Sequence, residues 1–357
     1  MFALFHKLPV LSGANLWRIL ATSLIIMLIL TACAPASPTA APTSAAPNQA
    51  QTPEASATAA PAKLPPPGGG MGPGGMGGSL ASVDPTYQDV AYAMLSEAQK
   101  LDLYIPEGSG PFPVVVVIHG GGFMMGDKAD GTGAAGADSI LQAGFAVASI
   151  NYRLSGEALF PAQIQDAKAA VRFLRANAEE YNLNPEKFAA FGASAGGTLA
   201  SLLGTSCGVA ELEGADLGNA DQSSCVQAVV DWFGPVDFLQ MDDQFAGTSC
   251  AQNHNDASSP ESKLLGAAVQ TVPDLAKAAN PITYVSDKSP AFLIQHGTAD
   301  CNVPPKGSQA LYDALSQAIG ADMVTITYIE GAGHGGSEFS TEENLKIVTD
   351  FLAMYLK

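Results

Sequence analysis

Ser194 lies in a setting that could make its hydroxyl group a nucleophile. It is the central residue of Gly192–Gly196, which has the pattern G-x-S-x-G. A short apolar run precedes this pattern, and the helix-like run 198–203 follows it directly. A serine at such a strand–turn–helix junction is held on a sharp turn with its Oγ above the sheet. The helix that follows presents its positive end to developing negative charge. The sequence therefore predicts nucleophilic catalysis by Ser194.

A glycine-rich loop could stabilise the oxyanion that such an attack creates. Three consecutive glycines, preceded by His119 and followed by Phe123, stand at the end of an apolar run. Because glycine carries no side chain, its backbone N–H can approach a substrate closely. We predict that the N–H groups of Gly121, Gly122 and Ala195 form an oxyanion hole. Phe123 is predicted to contact substrate, whereas His119 is interpreted as a hydrogen-bonding residue at the base of the loop.

A serine nucleophile needs a general base, and His334 has the most suitable position for that role. It lies in a glycine-rich loop between the last predicted strand and the last predicted helix, where an imidazole could reach Ser194. The chain has five histidines, and the other four have different settings: His6 near the N-terminus, His119 in the glycine loop, His254 in an Asn-rich loop and His296 at the end of a strand.

The third member of a triad must orient the imidazole and stabilise its cation. Asp300 follows a predicted strand and precedes His334, which gives the chain order Ser194, Asp300, His334. That order is typical of enzymes built on the G-x-S-x-G turn. Asp231 and Asp237 also follow a strand and are the alternative candidates for the acid.

The elements that must hold these residues alternate between buried strands and amphipathic helices. Uniformly apolar runs predict parallel strands covered on both faces, at 113–118, 144–150, 188–192, 226–232, 291–295 and 324–328. Helices are predicted at 161–180, after 305 as far as 319, and at about 341–356, and an antiparallel edge hairpin at 87–93 and 100–104. This alternation favours an open, doubly wound sheet with its ligand site at the carboxyl ends of the strands. The polar segment 239–279 interrupts the rhythm and is predicted to form a cap.

Residues 82–357 resemble the hormone-sensitive-lipase-like and BD-FAE-like esterases of the α/β-hydrolase class. Besides the nucleophile and oxyanion motifs and the loops of Asp300 and His334, the shared runs are 151–154, 165–173, 231–235 and 259–262. The resemblance implies an α/β-hydrolase fold with a mostly parallel, eight-stranded sheet and a small cap. It also implies hydrolysis of small acyl esters, which in some members are acetyl or feruloyl esters of plant xylan. The mechanism requires no metal or organic cofactor.

The N-terminal region predicts export and a lipid anchor. Lys7 and Arg18 precede the short apolar run 19–30, which is typical of a secretory signal. An uncleaved membrane anchor is the alternative, although about 20 apolar residues are needed to span a bilayer. Leu30–Cys33 resembles a bacterial lipobox, so Cys33 is predicted to be lipidated after removal of residues 1–32. Residues 33–81 are rich in Ala, Pro, Ser and Gly and are predicted to be a disordered linker. The expected location is extracytoplasmic and membrane-anchored.

Four further cysteines predict two disulfide bonds in an exported domain. They are Cys207, Cys225, Cys250 and Cys301, and they allow three pairings. We favour Cys207 with Cys225 and Cys250 with Cys301, because each pair joins loops that are expected to lie close together. A metal site is a weaker interpretation, since no C-x-x-C spacing occurs, and free thiols are weaker still.

The charge balance argues against nucleic acid as a partner. The chain carries 16 basic and 34 acidic residues, a net charge of −18, and phosphate binding needs clustered cations. The expected partners are an ester substrate and the membrane that holds the anchor, and the sequence leaves the oligomeric state open. The rival functions are a serine peptidase of the prolyl-oligopeptidase sort and a catalytically silent binding module on a lipid stalk.

Overall fold

One eight-stranded sheet forms the centre of the computed structural model, which describes residues 83–130 and 134–357. The strands are β1 (Tyr87–Ala91), β2 (Lys100–Tyr104), β3 (Phe112–Ile118), β4 (Ala146–Ile150), β5 (Leu183–Ala193), β6 (Ala228–Trp232), β7 (Ala291–Gly297) and β8 (Val324–Ile329). The six predicted parallel strands and the edge hairpin are thus all present. The predicted signal peptide, Cys33 with its lipid, the whole predicted linker and residue 82 lie outside the described residues.

The strand order is β1-β2-β4-β3-β5-β6-β7-β8, and only the pairs β1–β2 and β2–β4 are antiparallel. From β4 to β8 every neighbouring pair is parallel. The carboxyl ends of β5, β7 and β8 therefore lie at one edge of the sheet, where Ser194, Asp300 and His334 follow them in the chain. This topology confirms the predicted mostly parallel, doubly wound sheet.

Helices cover both faces of the sheet. They are α1 (Ala134–Gln142), α2 (Ala162–Ala176), α3 (Ala195–Thr205), α4 (Ala210–Glu213), α5 (Met241–Gln244), α6 (Pro260–Leu265), α7 (Pro273–Ala278), α8 (Pro305–Ile319) and α9 (Glu342–Leu356). Short 3₁₀ helices occupy Lys128–Asp130, Ala215–Leu217, Val269–Thr271, Pro281–Tyr284 and Ala321–Met323. Within the described ranges, no helix is both long and apolar enough to cross a bilayer.

The uniform apolarity of the strands follows from burial on both faces. In β3, Val114 and Val116 belong to the core under α2, α3 and α8, whereas Val115 and Val117 belong to the core under α1 and α9. All four side chains are fully buried. Because neither face of β3 meets water, the strand shows no alternation of polar and apolar residues.

Two boundaries differ from the prediction for local reasons. Helix α2 ends at Ala176 rather than near 180, because Asn177 leaves helical geometry with a φ of −106° and a ψ of 21°, and its side-chain amide donates to the carbonyl oxygen of Phe173. Asn182 then adopts a φ of 56° and turns the chain into β5. That strand starts at Leu183, where it pairs with Phe112 across a register shift, and not at 188.

The predicted cap segment, 239–279, folds into the short helices α5, α6 and α7 between β6 and β7. The two disulfide bonds have the favoured pairing. Cys207–Cys225 joins the end of α3 to the approach to β6, and Cys250–Cys301 joins the cap to the loop of Asp300.

Candidate active site

Ser194 occupies a strained turn between β5 and α3. Its φ and ψ are 56° and −124°, a conformation that side-chain-bearing residues rarely adopt. The turn is held by a 2.8 Å hydrogen bond from the N–H of Ser194 to the carbonyl oxygen of Trp232. A glycine is required at 196, because a Cβ there would lie 2.0 Å from the carbonyl oxygen of Ile118. The glycine-flanked motif thus lets α3 pack against β3 while Ser194 projects above the sheet.

The structure brings Ser194, His334 and Asp300 into one hydrogen-bonded chain. His334 Nε2 lies 2.9 Å from Ser194 Oγ, and His334 Nδ1 lies 2.7 Å from Asp300 Oδ2. Since Nδ1 faces a carboxylate, it carries the proton, and Nε2 is left to accept the proton of Ser194. The imidazole is therefore set up as a base toward the serine hydroxyl.

Asp300 is buried, and hydrogen bonds satisfy both of its carboxylate oxygens. Oδ1 accepts the backbone N–H groups of Asn302 at 2.7 Å and Val303 at 2.9 Å. Burial alone would raise the pKa of Asp300, but hydrogen bonds from His296, His334 and the backbone of Val303 outweigh it and hold that pKa well below its usual range. Asp300 therefore stays ionised beside the imidazole.

The two alternative acids accept hydrogen bonds from groups other than His334. Asp231 accepts the hydroxyl of Ser201 and the N–H of Gly234, and burial raises its pKa. Asp237 accepts the N–H of Leu239 in a local turn. Of the three candidates, Asp300 is the one that contacts His334.

The predicted oxyanion loop lies beside Ser194. Gly121 and Gly122 have φ values of 100° and 60°, and Ala195 is the first residue of α3, where backbone N–H groups lack partners within the helix. The base of the loop is braced by His119, whose ring stacks on Tyr152 at 4.4 Å. Tyr152 also donates its hydroxyl to the carbonyl oxygen of His119.

The side chains that surround the oxyanion glycines were not all found from the sequence. Phe123 is only 1% exposed and packs against Phe238 at 6.3 Å, so its predicted contact with substrate stays a prediction. The exposed neighbours are Met124 and Met125, which are 38% and 62% exposed. Pro260, at the start of α6, lies directly over Gly122. The two methionines could have been proposed from the sequence, because they lie just after the glycines. The position of Pro260 over Gly122 becomes apparent only in the folded cap.

Gly122→Ala is expected to impair catalysis more than folding. The new Cβ would lie 3.2 Å from Cβ of Pro260, and the φ of 60° disfavours a side chain. The loop must shift, so we expect kcat/KM to fall by about 10²-fold, as when one oxyanion donor is lost.

The matched control is Gly208→Ala, which has a φ of 75° and open space around the new Cβ. It should lose about 1 kcal/mol of unfolding free energy while keeping the parental kcat/KM. Equal kcat/KM values for the two variants would show that Gly122 does not contribute to the oxyanion hole.

The disulfide Cys250–Cys301 ties the cap to the residue that follows Asp300. The half-cystines are 51 residues apart, against 18 for Cys207–Cys225. Loop-closure entropy predicts a stabilisation of about 4 kcal/mol for the first bond and about 3 kcal/mol for the second.

Replacing both cysteines of either pair by alanine should therefore lower the free energy of unfolding by these amounts, measured by denaturant titration. Only the Cys250/Cys301 variant should also lower kcat, by several-fold, because only that bond adjoins the Asp300 loop. An equal effect of both variants on kcat would contradict this view.

Phe233 supports the imidazole from the side. Its ring meets that of His334 edge-on at 4.8 Å and that of Phe339 at 4.7 Å. Phe233 itself has a φ of 42° and donates its N–H to the carbonyl oxygen of Gln295. Phe233 therefore packs against the imidazole of His334, the candidate base of the triad.

Within residues 83–130 and 134–357, no group of three or more His, Cys, Asp or Glu side chains is arranged to hold a metal ion. The polar groups described above make a site suited to acyl transfer: a nucleophile, a base, an acid and candidate oxyanion donors at one edge of the sheet.

Comparison of the sequence with known proteins finds one family model and several related esterases. The BD-FAE family model matches residues 101–315. Esterase LipC of Mycobacterium tuberculosis is 28% identical over 240 residues, which cover 67% of this chain and 57% of LipC. Esterase LipQ of the same organism is 28% identical over 74% of this chain and 62% of its own length. The chain thus spans about three-fifths of the length of these curated relatives.

Solved structures agree in fold and in family. A truncated carbohydrate esterase from gut microbiota is 37% identical, with a TM-score of 0.68 over 75% of this chain and 95% of the other. A bifunctional GH43-CE protein of Bacteroides eggerthii is also 37% identical, with a TM-score of 0.69 over 76% of this chain and 35% of the other. These matches confirm the resemblance inferred from the motifs. The chain belongs to the BD-FAE family and has the α/β-hydrolase fold.

Proposed function

We propose that this protein is a serine carboxylesterase that hydrolyses small acyl esters through an acyl-enzyme. The observation that supports the proposal most strongly is the hydrogen-bonded chain from Ser194 through His334 to Asp300. The glycines of the 119–123 loop lie beside that serine. Relatives named as esterases, LipC and LipQ, and a structural neighbour named a carbohydrate esterase support the same reaction class.

In this mechanism, His334 takes the proton of Ser194 as Oγ attacks the ester carbonyl carbon. The N–H groups of Gly121, Gly122 and Ala195 hold the oxyanion of the tetrahedral intermediate. His334 then gives the proton to the leaving alcohol, which leaves an acyl group on Ser194. A water molecule, deprotonated by His334, attacks this acyl-enzyme and releases the acid.

The proposed substrates are acetyl or feruloyl esters carried on plant polysaccharide. Two structural neighbours that share 37% of aligned residues are described as a carbohydrate esterase and a bifunctional GH43-CE protein. The exposed side chains of Met124 and Met125 beside the oxyanion loop suit either a small acyl group or an aromatic one, because a thioether packs well against rings.

A substrate panel tests this proposal. The purified chain is assayed on p-nitrophenyl acetate, methyl ferulate and acetylated xylan, with a peptide p-nitroanilide as the amide control. Turnover of the esters without the amide is the expected result, and the ranking among esters identifies the acyl preference. Turnover of the amide in preference to every ester would instead favour a peptidase.

We also propose that the mature protein is an extracytoplasmic lipoprotein anchored through Cys33. The apolar run 19–30 followed by Leu30–Cys33 supports this location. Expression of the full chain in bacteria should place it in the membrane fraction with incorporated palmitate. Cys33→Ser should abolish the label, and retention of the label in that variant would refute the anchor.

A further inference from the structure

A second imidazole binds the carboxylate of Asp300. His296 lies at the end of β7 and its side chain is fully buried. Its Nε2 is 3.1 Å from Asp300 Oδ2, the same oxygen that accepts from His334 Nδ1. The sequence placed His296 only at a strand end and gave it no role. A histidine of β7 and one from the loop after β8 thus meet at one oxygen of the triad acid.

The surrounding groups determine which nitrogen of His296 carries the proton. Nε2 faces two acceptors, Asp300 Oδ2 and the carbonyl oxygen of Val303, both at 3.1 Å. It must therefore be the donor. Nδ1 lies 2.7 Å from the hydroxyl of Ser308, on α8, which can donate to it. The two acceptors at Nε2 thus fix the tautomer that donates to Asp300, and the hydroxyl of Ser308 stabilises it.

The carboxylate of Asp300 is consequently fixed at both oxygens. The backbone N–H groups of Asn302 and Val303 hold Oδ1, and the fully buried imidazole of His296 holds Oδ2. Without His296, His334 would be the one side-chain donor left at Oδ2 among the described residues, and the carboxylate would be held less firmly against tilting about its Oδ1 contacts.

The charged neighbours of His296 are few. Asp300 is in direct contact from the loop after β7, and His334 shares that carboxylate from the loop after β8. Asp231, in β6, faces His296 electrostatically without a hydrogen bond to it. The ring of Phe233 lies edge-on to His296 at 6.4 Å, and the side chain of His296 is fully buried.

We propose that His296 is a positioning residue for ester hydrolysis, which orients the Asp300 carboxylate toward His334 and shares the negative charge of Oδ2. The proposal rests on the proposed function, because it assigns His296 a role in that same reaction. His296 has no exposed surface and acts through Asp300, so it should influence kcat and leave substrate binding unchanged.

Removing the N–H of His296 should move the acid limb of the pH–rate profile in one defined direction. With His296 absent, the whole charge of Oδ2 acts on His334 and favours its protonated form, which is inactive as a base. The acid limb of the pH–rate profile should therefore move to higher pH. The carboxylate also loses its alignment, so kcat should fall by about 10-fold, a fraction of the roughly 10⁴-fold cost of disabling the acid itself.

The test compares His296→Met with His296→Gln, using the full chain and p-nitrophenyl acetate across the neutral pH range. Methionine removes the N–H at similar volume, whereas glutamine keeps an amide N–H near the position of Nε2. We expect His296→Met to lower kcat by about 10-fold, keep KM within about 2-fold and shift the acid limb upward by about half a unit. His296→Gln should restore the parental acid limb and most of kcat.

A second pair tests the same relay without altering the imidazole. Ser308→Ala removes the hydroxyl that stabilises this tautomer at Nδ1, and Ser308→Thr keeps it. The alanine variant should shift the acid limb in the same direction as His296→Met, and the threonine variant should not. If His296→Met does not fold, the two Ser308 variants alone test the positioning role of His296.

The outcomes separate this inference from the proposed function. If the parent hydrolyses no ester, the proposed function fails. If the parent is active and both His296→Met and Ser308→Ala keep its acid limb, the positioning role fails, even where the folded fraction falls. Loss of kcat without rescue by glutamine would likewise identify His296 as a purely structural residue.

Discussion

Ser194→Ala is expected to reduce kcat/KM for p-nitrophenyl acetate by at least about 10⁴-fold, since the oxygen that forms the acyl-enzyme is removed. The residual rate should reflect only the oxyanion loop and substrate binding. The substitution removes the hydroxyl of the half-buried Ser194. It leaves the backbone hydrogen bond from residue 194 to Trp232 unaffected. The thermal midpoint should therefore remain close to that of the parent, because alanine keeps the Cβ and the backbone strain at the φ of 56° is unchanged.

The matched control is Ser337→Ala. Ser337 is an exposed serine in the same loop as His334, three residues further along the chain. It should retain the parental kcat/KM within about 2-fold, as surface substitutions usually do. Parental activity in Ser194→Ala would overturn the serine mechanism, and equal losses in both variants would point to damage of the His334 loop rather than to loss of the nucleophile.

The strands of this domain could be predicted because burial on both faces leaves a uniform apolar signature. The valines of β3 are the best example, since they belong alternately to the cores on the two faces of the sheet. Helix α1, by contrast, was not predicted. It follows the oxyanion loop and contributes Ala137 and Ile140 to the core, which is too few apolar positions to mark a helix in the sequence.

The residues of the triad could be proposed from their loops because each follows a recognisable strand and the chain order restricts the choice. His296 was different. Its role depends on Asp300, Val303 and Ser308 meeting its two ring nitrogens, and these partners converge only when β7 and α8 pack together. Pro260 over Gly122 is a similar case, since the helix that carries it, α6, begins more than 130 residues from the glycines in sequence. Contacts of this kind leave no periodic pattern.

Asp300→Asn is expected to lower kcat/KM by about 10³- to 10⁴-fold with little change in KM, because an amide cannot replace this carboxylate. Four N–H groups point at Asp300: two from the backbone at Oδ1 and one imidazole N–H from each of His296 and His334 at Oδ2. An asparagine has one acceptor oxygen, so its NH₂ group must face donors on one side.

The backbone donors cannot move without disrupting the loop, so the amide oxygen should remain with them and the NH₂ group should face the imidazoles. His334 then accepts at Nδ1 and carries its proton on Nε2, where it faces Ser194 as a donor and can no longer act as a base. The variant is measured by steady-state kinetics beside Asp237→Asn, which keeps the oxygen that accepts the N–H of Leu239 and should retain parental kcat/KM. If Asp237→Asn were the slower variant, the acid of the triad would be Asp237, and the contact between Asp300 and His334 would serve only to hold the loop.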